Sequence, residues 1–87
     1  MQHRFTKNQC AAGRALLDWT QAELAEKSGA SRRAISDFER GCAQPRGVTM
    51  DALEAAFRFA GIVFLPSGGV DIKKMRPARL RLAGLYP

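Results

Sequence analysis

Polar side chains that can bind an anion or the edge of a nucleobase are concentrated between residues 32 and 40. Ile35 and Phe38 are three residues apart, so on a helix both would turn towards a core. The opposite face would then carry Arg32, Arg33, Ser36, Asp37 and Arg40. A guanidinium can donate two hydrogen bonds to a phosphate or to guanine, and a carboxylate can accept one from N4 of cytosine. The pattern therefore predicts a helix face that can contact nucleic acid.

The carboxylate of Asp37 has a second interpretation. Arg33 and Asp37 are four residues apart, so they can pair with each other on a solvated helix face, which stabilises a helix by about 0.3 kcal/mol. A carboxylate turned towards DNA would also be repelled by the phosphates. The sequence leaves open whether Asp37 contacts a base or only its own helix.

No residue pattern predicts a catalytic or metal site. The only histidine is His3, and Cys10 and Cys42 are isolated thiols, whereas a closed zinc site needs about four ligands. There is no Ser/His/Asp or Cys/His set, and the glycine pair at 68–69 is typical of a turn rather than of a phosphate-binding loop. We therefore expect a non-enzymatic protein without metal or cofactor, with two reduced thiols and Cys10 buried.

The positive charge of the chain is unevenly distributed. The net charge is +6, from 14 basic and 8 acidic side chains. Five of the basic residues follow residue 72, so residues 1–71 have a net charge of only +1. A basic chain favours a nucleic-acid partner, but here the argument depends on where individual charges lie. No run is apolar enough for a signal peptide or a membrane-spanning helix, which predicts a cytoplasmic protein without a membrane partner.

Four segments begin with the same helix-start signature. Side chains that can cap a helix by accepting an amide hydrogen bond stand at Thr6, Thr20, Ser31 and Thr49. Gln9 and Glu23 follow the first two by three residues, which predicts two capping boxes. An apolar residue before each cap is matched by another five positions later, the spacing of a hydrophobic staple. With stops at Gly29, Gly41 and Gly61, the predicted helices span residues 7–18, 21–28, 32–40 and 50–60.

The residue pattern changes after the fourth predicted helix. Residues 62–65 are apolar and mostly β-branched or aromatic, residues 66–69 are Pro-Ser-Gly-Gly, and residues 70–72 alternate. These features predict a short β-hairpin over residues 62–72. We expect one domain over residues 1–72 and a basic, flexible tail over residues 73–87.

The region of the second and third predicted helices resembles a known family. Similarity to the Xre/Cro-like helix-turn-helix family of phage repressors is carried by Thr20-Gln21-Ala22-Glu23-Leu24-Ala25, by Ser28-Gly29-Ala30-Ser31, by Ile35-Ser36-Asp37-Phe38-Glu39-Arg40-Gly41 and by Pro45. The resemblance covers residues 6–61. It implies a mainly all-α fold of four to five helices, the lambda-repressor-like DNA-binding domain, here with a short C-terminal hairpin.

The resemblance also implies roles for individual residues. Contacts to DNA bases are expected from Arg32, Arg33, Ser36 and Asp37, on a recognition helix at 32–40. Contacts to phosphates are expected from Thr20, Gln21, Ser31, Arg40 and Arg46, which would set the register without reading sequence. Gln21 would also brace the first side chain of the recognition helix, and Arg14 and Glu39 would form an internal salt bridge.

Two function classes remain open. The first is a sequence-specific transcriptional regulator, a repressor by expectation, that binds a palindromic operator in double-stranded DNA as a homodimer joined by its hairpin and fourth helix. The second is a protein-interaction module, such as an antiactivator or antitoxin, that uses the same fold to bind another protein. The arginines expected near DNA outnumber the nearby acids by two, which favours DNA.

Overall fold

The computed structural model describes residues 5–73 as four helices followed by a two-stranded antiparallel hairpin. The elements are α1 (Lys7–Leu17), α2 (Gln21–Ser28), α3 (Arg32–Glu39), α4 (Gly47–Phe59), β1 (Ile62–Phe64) and β2 (Val70–Ile72). The mainly helical fold with a C-terminal hairpin is confirmed. All but the first residue of the predicted basic tail at 73–87 lies outside the described residues, and its flexibility stays a prediction.

Three helix starts have the caps that the sequence predicts. The Thr6 hydroxyl accepts from the Gln9 amide at 3.1 Å, and the Gln9 side chain accepts from the Thr6 amide at 3.0 Å. Thr20 and Glu23 form the same reciprocal pair at 3.0 and 2.8 Å. The Ser31 hydroxyl accepts from the amide three residues on, at 3.0 Å. These bonds satisfy amides that the helices themselves leave unpaired, so local sequence defines the starts of α1, α2 and α3.

The predicted start of the fourth helix is wrong. Helix α4 begins at Gly47, and its N-cap is Arg46, which makes no side-chain capping bond. Thr49 lies inside the helix, and the staple expected before it is absent because Val48 is 74% exposed. The earlier start lets the amides of Thr49 and Met50 donate to the Arg46 carbonyl at 3.0 and 2.9 Å. The amides that a Thr49 cap would have served lie inside this longer helix, where main-chain carbonyls accept from them.

Other boundaries differ from the predicted ones by one residue. Helix α1 ends at Leu17 because Asp18 has a left-handed backbone, with φ 61°, and its amide donates to the carbonyls of Arg14 and Ala15. Helix α3 ends at Glu39, and β1 ends at Phe64. Caps and turn residues therefore predicted where the elements lie in the sequence. The local backbone geometry determines the residue at which each element ends.

Aromatic rings hold the elements around one core. The fully buried ring of Phe57 in α4 stacks on Trp19 at 5.9 Å and meets the edges of Phe64 and Phe5 at 5.5 and 6.1 Å. Phe5 also contacts Phe38 of α3 at 5.7 Å. The buried apolar side chains of the described residues are Phe5, Cys10, Leu24, Ile35, Phe38, Met50, Leu53, Phe57 and Ile62. Edge-to-face and stacked rings of this kind add to the free energy of apolar burial.

The hairpin is held on α1 by one buried amide side chain. Gln9 is 1% exposed, and its Nε2 donates to the carbonyls of Leu65 and Gly69 at 3.1 and 2.9 Å. The turn itself closes when the Gly68 amide donates to the Leu65 carbonyl, and Gly68 has φ 101°, a conformation that favours glycine. Because Gln9 also belongs to the first capping box, the start of α1 and the hairpin turn share one set of hydrogen bonds.

Gly13 lets the ring of Phe57 in α4 pack directly against the backbone of α1. Gly13 is buried, and a Cβ atom added there would lie 2.9 Å from Cε1 of the Phe57 ring. That ring is packed against other rings and has no space to move. This contact of the Phe57 ring with α1 therefore depends on a residue without a side chain.

We expect Gly13→Ala to reduce the free energy of unfolding by about 1–2 kcal/mol, because the added methyl overpacks the core by more than the helix propensity of alanine compensates. Gly47→Ala is the matched control, since a Cβ at Gly47 meets nothing within 4 Å. Urea unfolding followed by circular dichroism measures both variants. Equal stability of the two would show that α1 can shift to accept the methyl group.

Candidate nucleic-acid interface

A three-residue connection sets the angle between α2 and α3. Gly29 ends α2 in the left-handed conformation, with φ 84°, and its amide donates to the Ala25 carbonyl at 2.8 Å. Ser31 then caps α3 two residues later. Leu24 of α2 and Ile35 of α3 are both fully buried, so each helix turns an apolar side chain into the core. Helix α3 is consequently fixed with its polar face towards solvent.

That polar face carries the predicted base-contacting residues. A shallow open cleft is lined by Gln21, Arg32, Arg33, Ser36, Asp37 and Arg40. The Arg33 side chain is 86% exposed and that of Arg40 is 62% exposed, so both can reach a ligand in the cleft. Three guanidinium groups and one carboxylate give this face a positive net charge, which suits a polyanion.

Asp37 lies between two of these arginines. Its Oδ2 is 3.7 Å from Nε of Arg33, and its Oδ1 is 3.9 Å from Nη2 of Arg40. The structure thus contains the Arg33–Asp37 pair, which was the alternative to a base contact by Asp37. The Asp37 carbonyl also accepts from the amides of Cys42 and Ala43, which fixes the loop after α3.

The other predicted phosphate-contacting residues lie at helix starts around the cleft. Thr20 and Ser31 are the caps of α2 and α3, and Arg46 is the exposed N-cap of α4. Ser31 also lines a neighbouring groove beside Pro45. The structure brings Gln21 and Arg40 into the cleft with the predicted base-contacting residues and leaves Thr20, Ser31 and Arg46 at its periphery.

The side chain of Gln21 is bonded to Glu39 in this structure, and its bracing of the first side chain of the recognition helix stays a prediction. Its Nε2 donates to Oε1 of Glu39 at 3.1 Å. A carboxylate is a charged acceptor and forms the stronger bond with an amide N–H. The bond ties the first residue of α2 to the last residue of α3.

Glu39 is the centre of a larger network. Nε and Nη2 of Arg14 each donate to the Glu39 carboxylate at 2.8 Å, and Nη1 of Arg14 donates to the Trp19 carbonyl at 3.0 Å. The side chain of Glu39 is 8% exposed and that of Arg14 is 20% exposed. Two parallel N–H bonds to one carboxylate are the strongest arrangement of such a pair. The network joins α1, the turn before α2 and the end of α3.

The Cys10 thiol also donates to Glu39, a contact that the sequence analysis missed. Its Sγ lies 3.1 Å from Oε2. Burial and the bond to Glu39 raise the pKa of this thiol far above its ordinary value, so it stays protonated and remains a donor. Burial alone would raise the pKa of Glu39, but the bonds from Arg14, Cys10 and Gln21 outweigh it and lower that pKa. The spacing of Cys10 and Arg14, four residues apart in α1, is the signal that could have shown it.

Comparison with known families agrees with this geometry. The profile of the helix-turn-helix family matches residues 11–60, more than half of the chain. The chain belongs to the Xre/Cro-like helix-turn-helix family. As a member of this helix-turn-helix family it is a DNA-binding regulator of transcription. No curated protein sequence matches the chain.

The described residues contain neither a metal-binding cluster nor a membrane-spanning helix. Within residues 5–73, no group of three or more histidine, cysteine, aspartate or glutamate side chains could hold a metal ion. None of the helices in the described part of this helix-turn-helix protein is long and apolar enough to cross a membrane.

We expect Glu39→Ala to reduce the free energy of unfolding by about 3 kcal/mol, because it leaves the Arg14 guanidinium largely buried without its acceptor. Glu54→Ala is the matched control, since Glu54 pairs with Arg58 at 3.0 Å on the surface of α4 and its loss should cost at most about 0.5 kcal/mol. Thermal and urea unfolding measure the difference. Similar losses in the two variants would show that the Glu39 network contributes no more than a surface pair.

Proposed function

We propose that this protein is a sequence-specific repressor that places α3 in the major groove of double-stranded DNA. The observation that carries the proposal is the orientation of α3, whose buried Ile35 and Phe38 leave an exposed arginine face. In this proposal Arg32, Arg33 and Ser36 contact base edges. A helix held in this way presents the side chains of its first turns to the groove.

Phosphate contacts on both sides of the groove would set the register. Thr20 and Gln21 lie at the start of α2, where backbone amides and the helix dipole favour an anion. The Gln21 amide nitrogen has two hydrogens, so it can donate one to Glu39 and the second to a phosphate. Ser31, Arg40 and Arg46 would contact the phosphates beside α3 and α4. Glu39 would therefore orient one of the phosphate contacts.

The modest net charge of residues 1–71 supports a preference for particular sequences. Residues 1–71 have a net charge of +1, which gives little non-specific attraction to the DNA backbone. Two arginines at the start of α3 can each form a bidentate pair with guanine. Affinity for a cognate site would then depend on base contacts more than on net charge.

We expect Arg33→Ala to weaken binding to the cognate duplex by about 1–3 kcal/mol while barely changing binding to random DNA. The cognate duplex is obtained by selection from a random library, and fluorescence anisotropy gives both dissociation constants. Arg58→Ala on α4 is the matched control, because it removes an equally charged, exposed side chain away from the cleft. Equal losses of affinity for cognate and random DNA would show that Arg33 does not contact a base.

The edge of the hairpin supports a homodimer. The Leu65 amide donates to the Gly69 carbonyl, and the Lys73 amide donates to the Gly61 carbonyl. In an antiparallel ladder hydrogen-bonded pairs alternate, so the backbone groups of Ile62 and Phe64 point away from β2. An outward-facing strand edge can pair with another strand. A two-fold pairing of β1 with β1 of a second copy would satisfy these groups and place Val63 opposite its own copy.

The opposite edge of the hairpin is less suited to such pairing. The Ile72 amide donates to the Asp71 carboxylate at 2.8 Å, so a side chain already satisfies one outward group of β2. Apolar side chains are exposed beside β1, with Val63 at 37% and Leu65 at 39%, and Phe59 at the end of α4 is 96% exposed. Burial of these side chains between two copies would stabilise the dimer. Two recognition helices could then contact the half-sites of a palindromic operator.

We expect Val63→Lys to raise the dissociation constant of the dimer about five-fold or more, because it places like charges opposite each other on the shared sheet. Val48→Lys is the control, since Val48 is 74% exposed at the start of α4. Sedimentation equilibrium measures both variants. A wild-type chain that stays monomeric on the selected duplex would contradict the homodimer and the palindromic operator together.

The alternative function is a protein-interaction module of the antiactivator or antitoxin type. The observation that favours it is the exposed Phe59, which lines a shallow groove with Asp51, Glu54, Ala55 and Arg58 of α4, away from the cleft. DNA selection separates the two functions. A chain that enriches no sequence from a random library would favour the module.

A further inference from the structure

We propose that Asp37 is a positioning residue that aims the Arg33 guanidinium at guanine, and does not itself contact a base. The inference rests on the proposed function, since it concerns how α3 would recognise DNA. It replaces the role in base contact expected for Asp37 from the family resemblance. Three side chains on the exposed face of α3 carry the inference: Arg33, Asp37 and Arg40.

The carboxylate of Asp37 is directed along its own helix. Each oxygen faces a different guanidinium, with Oδ2 nearest to Arg33 and Oδ1 nearest to Arg40. Only 30% of the Asp37 side chain is exposed, against 86% for Arg33. An aspartate side chain is also much shorter than an arginine side chain. A base edge approaching α3 would therefore meet the guanidinium groups before the carboxylate.

The nitrogen of Arg33 that lies nearest to Asp37 determines which of its other nitrogens can contact a base. At 3.7 Å the carboxylate is nearest to Nε, the nitrogen closest to the aliphatic stem. The terminal Nη1 and Nη2 atoms then remain available as a fork, which matches O6 and N7 of guanine. Attraction to a fixed carboxylate restricts the rotamers of Arg33, so less conformational entropy is lost when the fork binds.

The pair of Asp37 with Arg33 adds little to the stability of α3. Asp37 lies in the last turn of α3, where the helix dipole disfavours negative charge. The order of the pair, with the basic residue four positions before the acidic one, is also the weaker of the two possible orders. The contact with Arg33 is therefore better explained by its effect on the exposed face than by its effect on the helix.

Removal of the carboxylate should therefore change affinity and specificity in opposite directions. Without its negative charge, α3 is repelled less by phosphates, so binding to random DNA becomes tighter. Without a fixed partner, Arg33 samples more rotamers, so its preference for guanine weakens. A residue that only stabilised α3 would change binding to all sequences in parallel.

The test uses the full chain and a duplex selected from a random library. The base pair read by Arg33 is the one at which Arg33→Ala removes discrimination among the four base pairs. We expect Asp37→Asn to lower guanine preference at that base pair about three- to ten-fold, and to tighten binding to random duplex about two- to five-fold. In the Arg33→Ala background, Asp37→Asn should no longer change that preference.

Glu54→Gln is the matched control, because it removes the acidic partner of an arginine four residues away on α4, outside the cleft. It should change neither the guanine preference nor the affinity for random duplex. Loss of discrimination at a different base pair would overturn the inference and show that Asp37 contacts a base itself. Unchanged guanine preference in Asp37→Asn would also overturn it. A wild-type chain that selects no sequence would overturn the proposed function and this inference with it, whereas the other two outcomes leave the proposed function intact.

Discussion

The carboxylate of Glu39 is the contact on which the geometry of the DNA-binding face depends. It lies at the end of α3 and accepts hydrogen bonds from Arg14 and Cys10 of α1 and from Gln21 at the start of α2. These donors come from the two helices that surround α3. A largely buried carboxylate is stable only when several donors surround it. If any one of the three helices moved, Glu39 would lose a donor and its negative charge would be less well compensated. The three helices are therefore held at one mutual orientation.

The apolar core fixes the opposite face of α3. Ile35 and Phe38 are buried, and the ring of Phe38 packs on Phe5, which is also part of the aromatic cluster around Phe57. Apolar burial is non-directional and could tolerate some rotation of a helix. The bidentate bonds of Arg14 to Glu39 are directional and remove that freedom. Burial thus supplies the free energy of folding, while the ionic network defines which side chains of α3 face solvent.

Much of the fold could be predicted from local sequence because its signals are short-range. Capping at Thr6, Thr20 and Ser31 depends on bonds that span three residues, and these were predicted correctly. The cap at Thr49 failed because α4 already begins at Gly47, so the amides that Thr49 would have capped lie inside the helix and bond to main-chain carbonyls. A side-chain cap competes with other partners for those amides, and the sequence does not show which partner is nearer.

The sequence by itself determined the family, the helix-turn-helix and the set of polar residues on α3, because residue spacing alone places side chains on one face of a helix. Only the tertiary structure decided how those residues pair. It directs one N–H of Gln21 to Glu39, and it places the carboxylate of Asp37 between two arginines. Such contacts depend on the crossing of helices and on side-chain rotamers, which are set by packing across the whole core.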